Sequence, residues 1–303
     1  EFERKKDEAL AELEAEDQSP SAVADREFRK ALFGGGPYRS GAGGWKESVE
    51  KLGVPDVRSF YQSMYRPERT VLVASGNVTV AEMQAIAVEM LGSWARGTGL
   101  PPIPQKPPSW NPEVIRIDRD LTQANLVWGH VGTTRDDPDW YAIQVMNYIL
   151  GGGGFSSRMM ISVRVGAGLA YSVYSYFRGS KLPGSFQVGL QTKSESTAQA
   201  LGLVEKEIER IRTEPVSDEE LSEAKKFLTG SFPLKFDSNG EMVSFYSQIE
   251  YYELGLDYPD RYDDLINAVT REDVLRVANE YLRPDRGILV VIGKQAEITL
   301  PER

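Results

Sequence analysis

Side chains that usually carry chemistry are sparse in this chain. There is one histidine, His130, and no cysteine. The lack of cysteine removes disulfides, thiolate nucleophiles and cysteine-type zinc sites together. His130 sits in NLVWGHVGTT, which reads as the end of a strand. Zinc enzymes ordinarily use two or three histidine ligands, so a lone strand-end histidine reads as structural. A Ser-His-Asp triad would have to be built on His130, and no serine stands in a nucleophile-like setting to pair with it. The chain has no G-x-x-x-x-G-K-[ST] loop, no G-x-S-x-G elbow and no D-x-D-x-D-G calcium loop. The glycine run 151–154 follows a helical pattern instead of a strand and has no lysine behind it, which makes a weak phosphate cradle. Acid–base work by paired carboxylates stays open, since carboxylates are many and nothing singles out a pair. What remains with motif character is GGGGFSSRMMISVRVGAGLAYSVYSYF, residues 151–177.

The elements that must position this segment can be read from pattern and punctuation. Helical stretches cover 1–16 and 21–33, the second stopped by Gly34-Gly35-Gly36-Pro37. A helix near 55–65, a short apolar strand at 70–76 and a helix near 79–92 follow. Residues 97–111, GTGLPPIPQKPPSWN, hold five prolines, which excludes helix or central strand and predicts an extended linker. Beyond it, VIRIDR and QANLVWGHVG read as strands, and 137–150 and 155–165 as helices. LAYSVYSYF and GSFQVGLQT alternate as the two strands of a hairpin. Helices are expected at 196–213, 217–232, 239–254 and 270–281, the second opening on the capping box Ser217-x-x-Glu220. A last strand spans 287–293.

The chain also repeats itself. DVRSFYQSMYRPERTVLVASG, 56–76, aligns without a gap on DVLRVANEYLRPDRGILVVIG, 273–293. Identical pairs include Asp56/Asp273, Arg66/Arg283, Pro67/Pro284, Arg69/Arg286 and Gly76/Gly293. Each copy reads as a helix, an R-P-x-R breaker, a buried strand and a glycine, which suggests duplicated domains. The second copy begins near residue 112. By the same offset the first would begin roughly 105 residues before Glu1, so the first domain is expected here as its C-terminal part only. Helices and one strand cannot close a core by themselves.

Length and charge bound the function. A chain of 303 residues suggests one large domain or two ordinary ones. A net charge of −10 argues against a nucleic-acid partner. No stretch approaches the ~18 apolar residues of a membrane span, and the charged first residues lack the apolar core of a secretory signal. The compartment stays open, with an extracytoplasmic one in a bacterium as the expectation.

Segment 151–177 resembles the C-terminal domain of insulinase/pitrilysin-type zinc metallopeptidases, near their processing-peptidase-like bacterial branch. That family carries G-G-G-x-S-S-R-L followed by R-x-x-x-G-L-A-Y-S-V. The resemblance runs over nearly the whole chain and implies an α+β fold: two homologous domains, each of helices packed on a mostly antiparallel sheet, closing as a clam-shell. It implies three regions. Residues 1–96 would be the C-terminal part of the metal-bearing domain, 97–111 the linker, and 112–303 the inactive-type domain. It implies that Arg164 and Tyr171 hold substrate backbone, as a guanidinium and a phenol can both donate to peptide carbonyls.

In the family two histidines of H-x-x-E-H and a distant glutamate bind zinc. No H-x-x-E-H occurs here. The family's E-R-x-x-x-x-x-L-x-E matches Glu3 to Glu12, which makes Glu12 the candidate third ligand. The sequence departs from the pattern at Lys5, where a second acid is frequent, at Val165, where glutamate is common, and at Gly36, where histidine is frequent. The expectation is part of a zinc endopeptidase that encloses unfolded peptides. These 303 residues are not expected to catalyse alone, because Glu12 by itself cannot hold zinc. The alternative is a non-catalytic, substrate-binding subunit paired with an H-x-x-E-H chain. Expected partners are a peptide and either a second copy or a related chain.

Overall fold

In the computed structural model, residues 1–35, 37–97 and 111–301 are described. Gly36 and all but the ends of the expected linker lie outside them. Five strands form one sheet: β1 (Glu113–Asp118), β2 (Gln123–Val131), β3 (Ala170–Arg178), β4 (Ser185–Lys193) and β5 (Ile288–Gly293). Their order is β1-β5-β2-β4-β3. Only β1 and β5 run parallel; the other pairings are antiparallel. The hairpin β3–β4 is the one expected from its alternation.

Before the sheet come α1 (Phe2–Gln18), α2 (Pro20–Phe33), α3 (Lys46–Val49), α4 (Val54–Met64) and α5 (Val80–Leu91). Ser19 caps α2, accepting from the Ala22 N–H at 3.4 Å, and Pro20 occupies its first turn, where a missing N–H costs nothing. Within and after the sheet come α6 (Trp140–Asn147), α7 (Thr197–Thr213), α8 (Asp218–Ser231), α9 (Asn239–Tyr251), α10 (Tyr258–Asn267) and α11 (Arg271–Tyr281). Helix α10 lies in a span the sequence reading left without an element. Pro259 sits in its first helical turn, where a missing N–H costs nothing.

The sheet is covered on both faces. Leu126, Trp128, Leu289 and Val291 face a large core completed by α6 to α11. Val127, Ile288, Val290 and Ile292 face a smaller core closed by Val23, Ala24, Phe28 and Leu32 of α2. Alternate residues of β5 therefore serve different cores, as the period of two requires, and its unbroken apolar sequence suits a strand buried on both sides.

The repeat survives in three dimensions, with one departure. α4 and α11 have equal length and corresponding ends, and 3₁₀ turns Pro67–Arg69 and Pro284–Arg286 follow them. An aspartate at the third helical position, Asp56 or Asp273, accepts from the N-cap N–H in each. The strands differ. Ile288 and Leu289 are fully buried in β5, whereas Val71 and Leu72, expected in a strand at 70–76, are 55% and 53% exposed and form no ladder. A strand needs neighbours to take up its N–H and C=O groups, and among the described residues nothing pairs with this segment.

Candidate functional site

Motif 151–177 folds as a turn of wide helix followed by the edge strand. After α6 the chain passes through a π-type turn, Tyr148–Gly152, and a 3₁₀ turn, Gly154–Ser156, to a second π-type helix, Met160–Gly166. Plain α-helix was expected over 137–150 and 155–165. The wider winding is a form that π-bulges often take at functional sites. Gly151 sits against β3 so closely that a Cβ would lie 2.5 Å from the Ser175 Oγ. Alanine at that position would have to push β3 away.

The second wide helix carries Arg164 and is closed two residues past its end by Gly168, whose φ of +64° favours glycine. The Gly168 N–H donates to the Arg164 carbonyl at 3.0 Å and the Leu169 N–H to the Val163 carbonyl at 2.9 Å. This resembles a Schellman closure widened by one residue. It turns the chain straight back into β3. There the ladder slips: Ala170 pairs with Thr192 and Val173 with Leu190, so β3 carries one extra residue. Tyr171 stands in this bulge, 76% exposed. Bulges re-aim side chains in this way.

Reversal and bulge bring together the two residues that the resemblance singled out. The Arg164 guanidinium lies 4.8 Å from the centre of the Tyr171 ring and 4.8 Å from that of Phe155. Stacking on two rings fixes the plane of the guanidinium. Among the described residues neither the guanidinium nor the Tyr171 hydroxyl hydrogen-bonds to protein, so these donors face outward unspent. Phe155, the third member, was not picked out from the sequence, although it lies inside the motif.

A second residue missed in the sequence supports the segment from below. Arg158 is buried and donates two hydrogen bonds to Glu220, Nε to Oε1 at 2.6 Å and Nη2 to Oε2 at 2.9 Å. Glu220 also accepts from the Ser217 N–H at 2.8 Å, completing the expected capping box of α8. Burial pushes the Glu220 carboxyl up, but the bonds from Arg158 and Ser217 prevail and hold it at about 2. The helix cap thus clamps the loop that carries Phe155. The S-x-x-E signature was legible, and its arginine partner, 62 residues away, was not.

Next to the bulge, Asp25 of α2 and Tyr174 of β3 line a cavity of about 360 Å³ together with Ser172. Burial raises the Asp25 carboxyl, against the pull of Arg178 and then Arg29.

The donor set does not suit zinc. Glu12 is exposed on α1, and no group of three or more His, Cys, Asp or Glu side chains gathers among the described residues. His130 is fully buried. Its Nδ1 lies 2.7 Å from the Val131 carbonyl, and its Nε2 accepts from the Arg283 N–H at 3.0 Å. Both ring nitrogens serve the fold. Burial is the main reason its pKa falls to about 4.

Fold and motif together define a domain of the M16 peptidase type. The sequence matches the family described as peptidase M16 inactive domain over residues 51–228, more than half the chain, and the chain belongs to that family. This is the insulinase-like membership that segment 151–177 implied. The chain is 26% identical over 283 residues to a "non-peptidase homolog YmxG" of Helicobacter pylori, covering 93% of this chain and 64% of that protein. It is 29% identical over 291 residues to an uncharacterised zinc protease of Streptomyces coelicolor, covering 92% and 62%. It thus spans somewhat under two thirds of these relatives. Among solved structures, a peptidase M16 inactive domain from Pseudomonas fluorescens superposes with a TM-score of 0.89 at 29% identity, covering all of this chain and 71% of that one.

Proposed function

We propose that this chain is the peptide-holding part of a zinc-dependent endopeptidase that encloses unfolded substrates. Arg164 and Tyr171 donate to backbone carbonyls of the bound peptide and fix its position, a contribution of orientation and not of bond-breaking. The observation that carries this reading is the pair itself, two unspent donors brought together by a reversal and a bulge, with the guanidinium 4.8 Å from the centre of the Tyr171 ring. Backbone recognition ignores side-chain identity, which fits a substrate class defined by being unfolded. In this reading Glu12 would supply the third ligand of the catalytic zinc, with the H-x-x-E-H histidines outside the described residues. A second reading is a non-catalytic subunit that presents peptide to a related chain. It is favoured by the name of the Helicobacter relative, a non-peptidase homolog.

Anisotropy of a fluorescein-labelled unstructured peptide tests the holding role. Arg164→Gln and Tyr171→Phe should each weaken binding by about tenfold, near 1.4 kcal/mol, with unchanged circular dichroism and thermal midpoint. Wild-type affinity in the double variant would sink the proposal. Hydrolysis of the same peptide by the polypeptide as its cell makes it, supplied with zinc, selects the endopeptidase reading. Binding without hydrolysis selects the subunit.

A further inference from the structure

The largest cavity among those described lies at the far end of β3 from Tyr171. It has a volume of about 730 Å³ and opens between α6, α9 and the tip of the β3–β4 hairpin. Trp140, Phe245 and Tyr258 contribute ring surface to its wall, and Gln248 a polar side chain. Three cations line it, Arg135, Arg178 and Lys235, and two of them, Arg135 and Lys235, sit on one aromatic cluster. The Arg135 guanidinium lies 5.0 Å from the Trp140 ring centre, 5.8 Å from Tyr141 and 5.6 Å from Tyr258, and donates to the Tyr258 hydroxyl at 3.0 Å. The Lys235 ammonium lies 5.6 Å from the Phe232 ring centre and 5.7 Å from Tyr262. Those two rings stack at 3.8 Å, and Tyr258 meets Tyr262 at 6.0 Å, so one aromatic cluster carries both charges.

Neither cation has a carboxylate partner among the described residues. Glu241 also lines the cavity, but its carboxylate is engaged at the start of α9, accepting from the Ser238 N–H at 2.9 Å. Partial burial of the ammonium, and then the like charge of Arg135, lower the proton affinity of Lys235. Ring faces soothe a cation but accept few of its hydrogen bonds. Two like charges on one apolar wall, with N–H donors left over, complement an anion that brings an apolar body with it.

We propose that this cavity binds a carboxylate borne on an aromatic or aliphatic group, with Lys235 and Arg135 holding the carboxylate and the rings enclosing the rest. The site is separate from the Arg164–Tyr171 pair and does not depend on the peptide-holding reading. A free organic acid and the C-terminal carboxylate of a peptide share this chemistry.

Isothermal titration with N-acetylphenylalanine, with its amide, and with acetyl-Ala-Ala-Ala-Phe bearing a free carboxylate tests the proposal. The acid should bind, and the amide at least about tenfold more weakly. Lys235→Met should lose about tenfold for the acid, and Lys235→Arg, which keeps the charge, should retain binding. A tetrapeptide that binds more tightly than the amino acid assigns the site to peptide C-termini, and equal binding assigns it to a small acid. Equal affinity for acid and amide overturns the proposal, as does wild-type affinity in Lys235→Met or absence of heat at millimolar acid. Arg164→Gln should leave these titrations unchanged, which separates failure here from failure of the peptide-holding role.

Discussion

Arg164 and His130 show how differently two polar side chains can be committed. The guanidinium of Arg164 rests on two rings and makes no hydrogen bond to the described residues, whereas both nitrogens of His130 are consumed within the fold. The sequence reading of His130 as structural rested on its being alone; the buried site gives the physical reason. A folded-state pKa of about 4 lies below the unfolded value of 6.5. The stability attached to neutral His130 is complete above pH 6.5 and is lost progressively as pH falls from 6.5 to 4, on the order of 3 kcal/mol. Because the chain has a single histidine, its ring resonances need no assignment. They should remain those of a neutral imidazole down to pH 5, and a midpoint near 6.5 would contradict the buried arrangement. At this scale the Arg164–Tyr171 spacing was legible, but the Phe155 stack and the Arg158–Glu220 clamp were not. Each depends on a contact that only the wide helix or the distance-spanning fold creates.

Among the elements, the hairpin, most helices and the capping boxes could be read in advance, because alternation, amphipathic period and cap residues are local. The strand expected at 70–76 could not be verified locally. Its sequence is nearly as strand-like as that of β5, and both end on a glycine with a large positive φ, 148° at Gly76 and 159° at Gly293. Only the second copy has neighbours, β1 and β2. Hydrogen exchange should therefore separate the two copies. Amides of residues 71–75 should exchange close to the rate of open chain, while those of β5 should be slowed to the limit set by global unfolding. Equal protection in both would mean that 71–75 is paired after all. The π-type winding around 160–166 escaped the reading for a related reason. It closes on the reversal at Gly168, whose φ is positive, and no periodicity of its own marks it.

For the molecule as a whole, α4 and residues 71–72 present an apolar surface whose counterpart in the second copy is buried, and α5 adds exposed apolar side chains to it. Phe60 is 57% exposed where its counterpart Val277 is fully buried, and Val88 and Met90 of α5 are open to solvent. Surfaces of this kind promote association. We expect dimers or larger species by multi-angle light scattering at working concentration, with Phe60→Glu combined with Val88→Glu shifting the population to monomer. A clean monomer from the unaltered chain would refute this.

β5 has a role that neither core shows alone. It is a party wall: Leu289 and Val291 belong to the helical side, and Ile288, Val290 and Ile292 to the α2 side. Peeling that strand away strips both rooms at once, whereas loss of α2 alone uncovers only one face of it. α2, before the proline-rich segment, and the helices after it thereby share one strand as their common support.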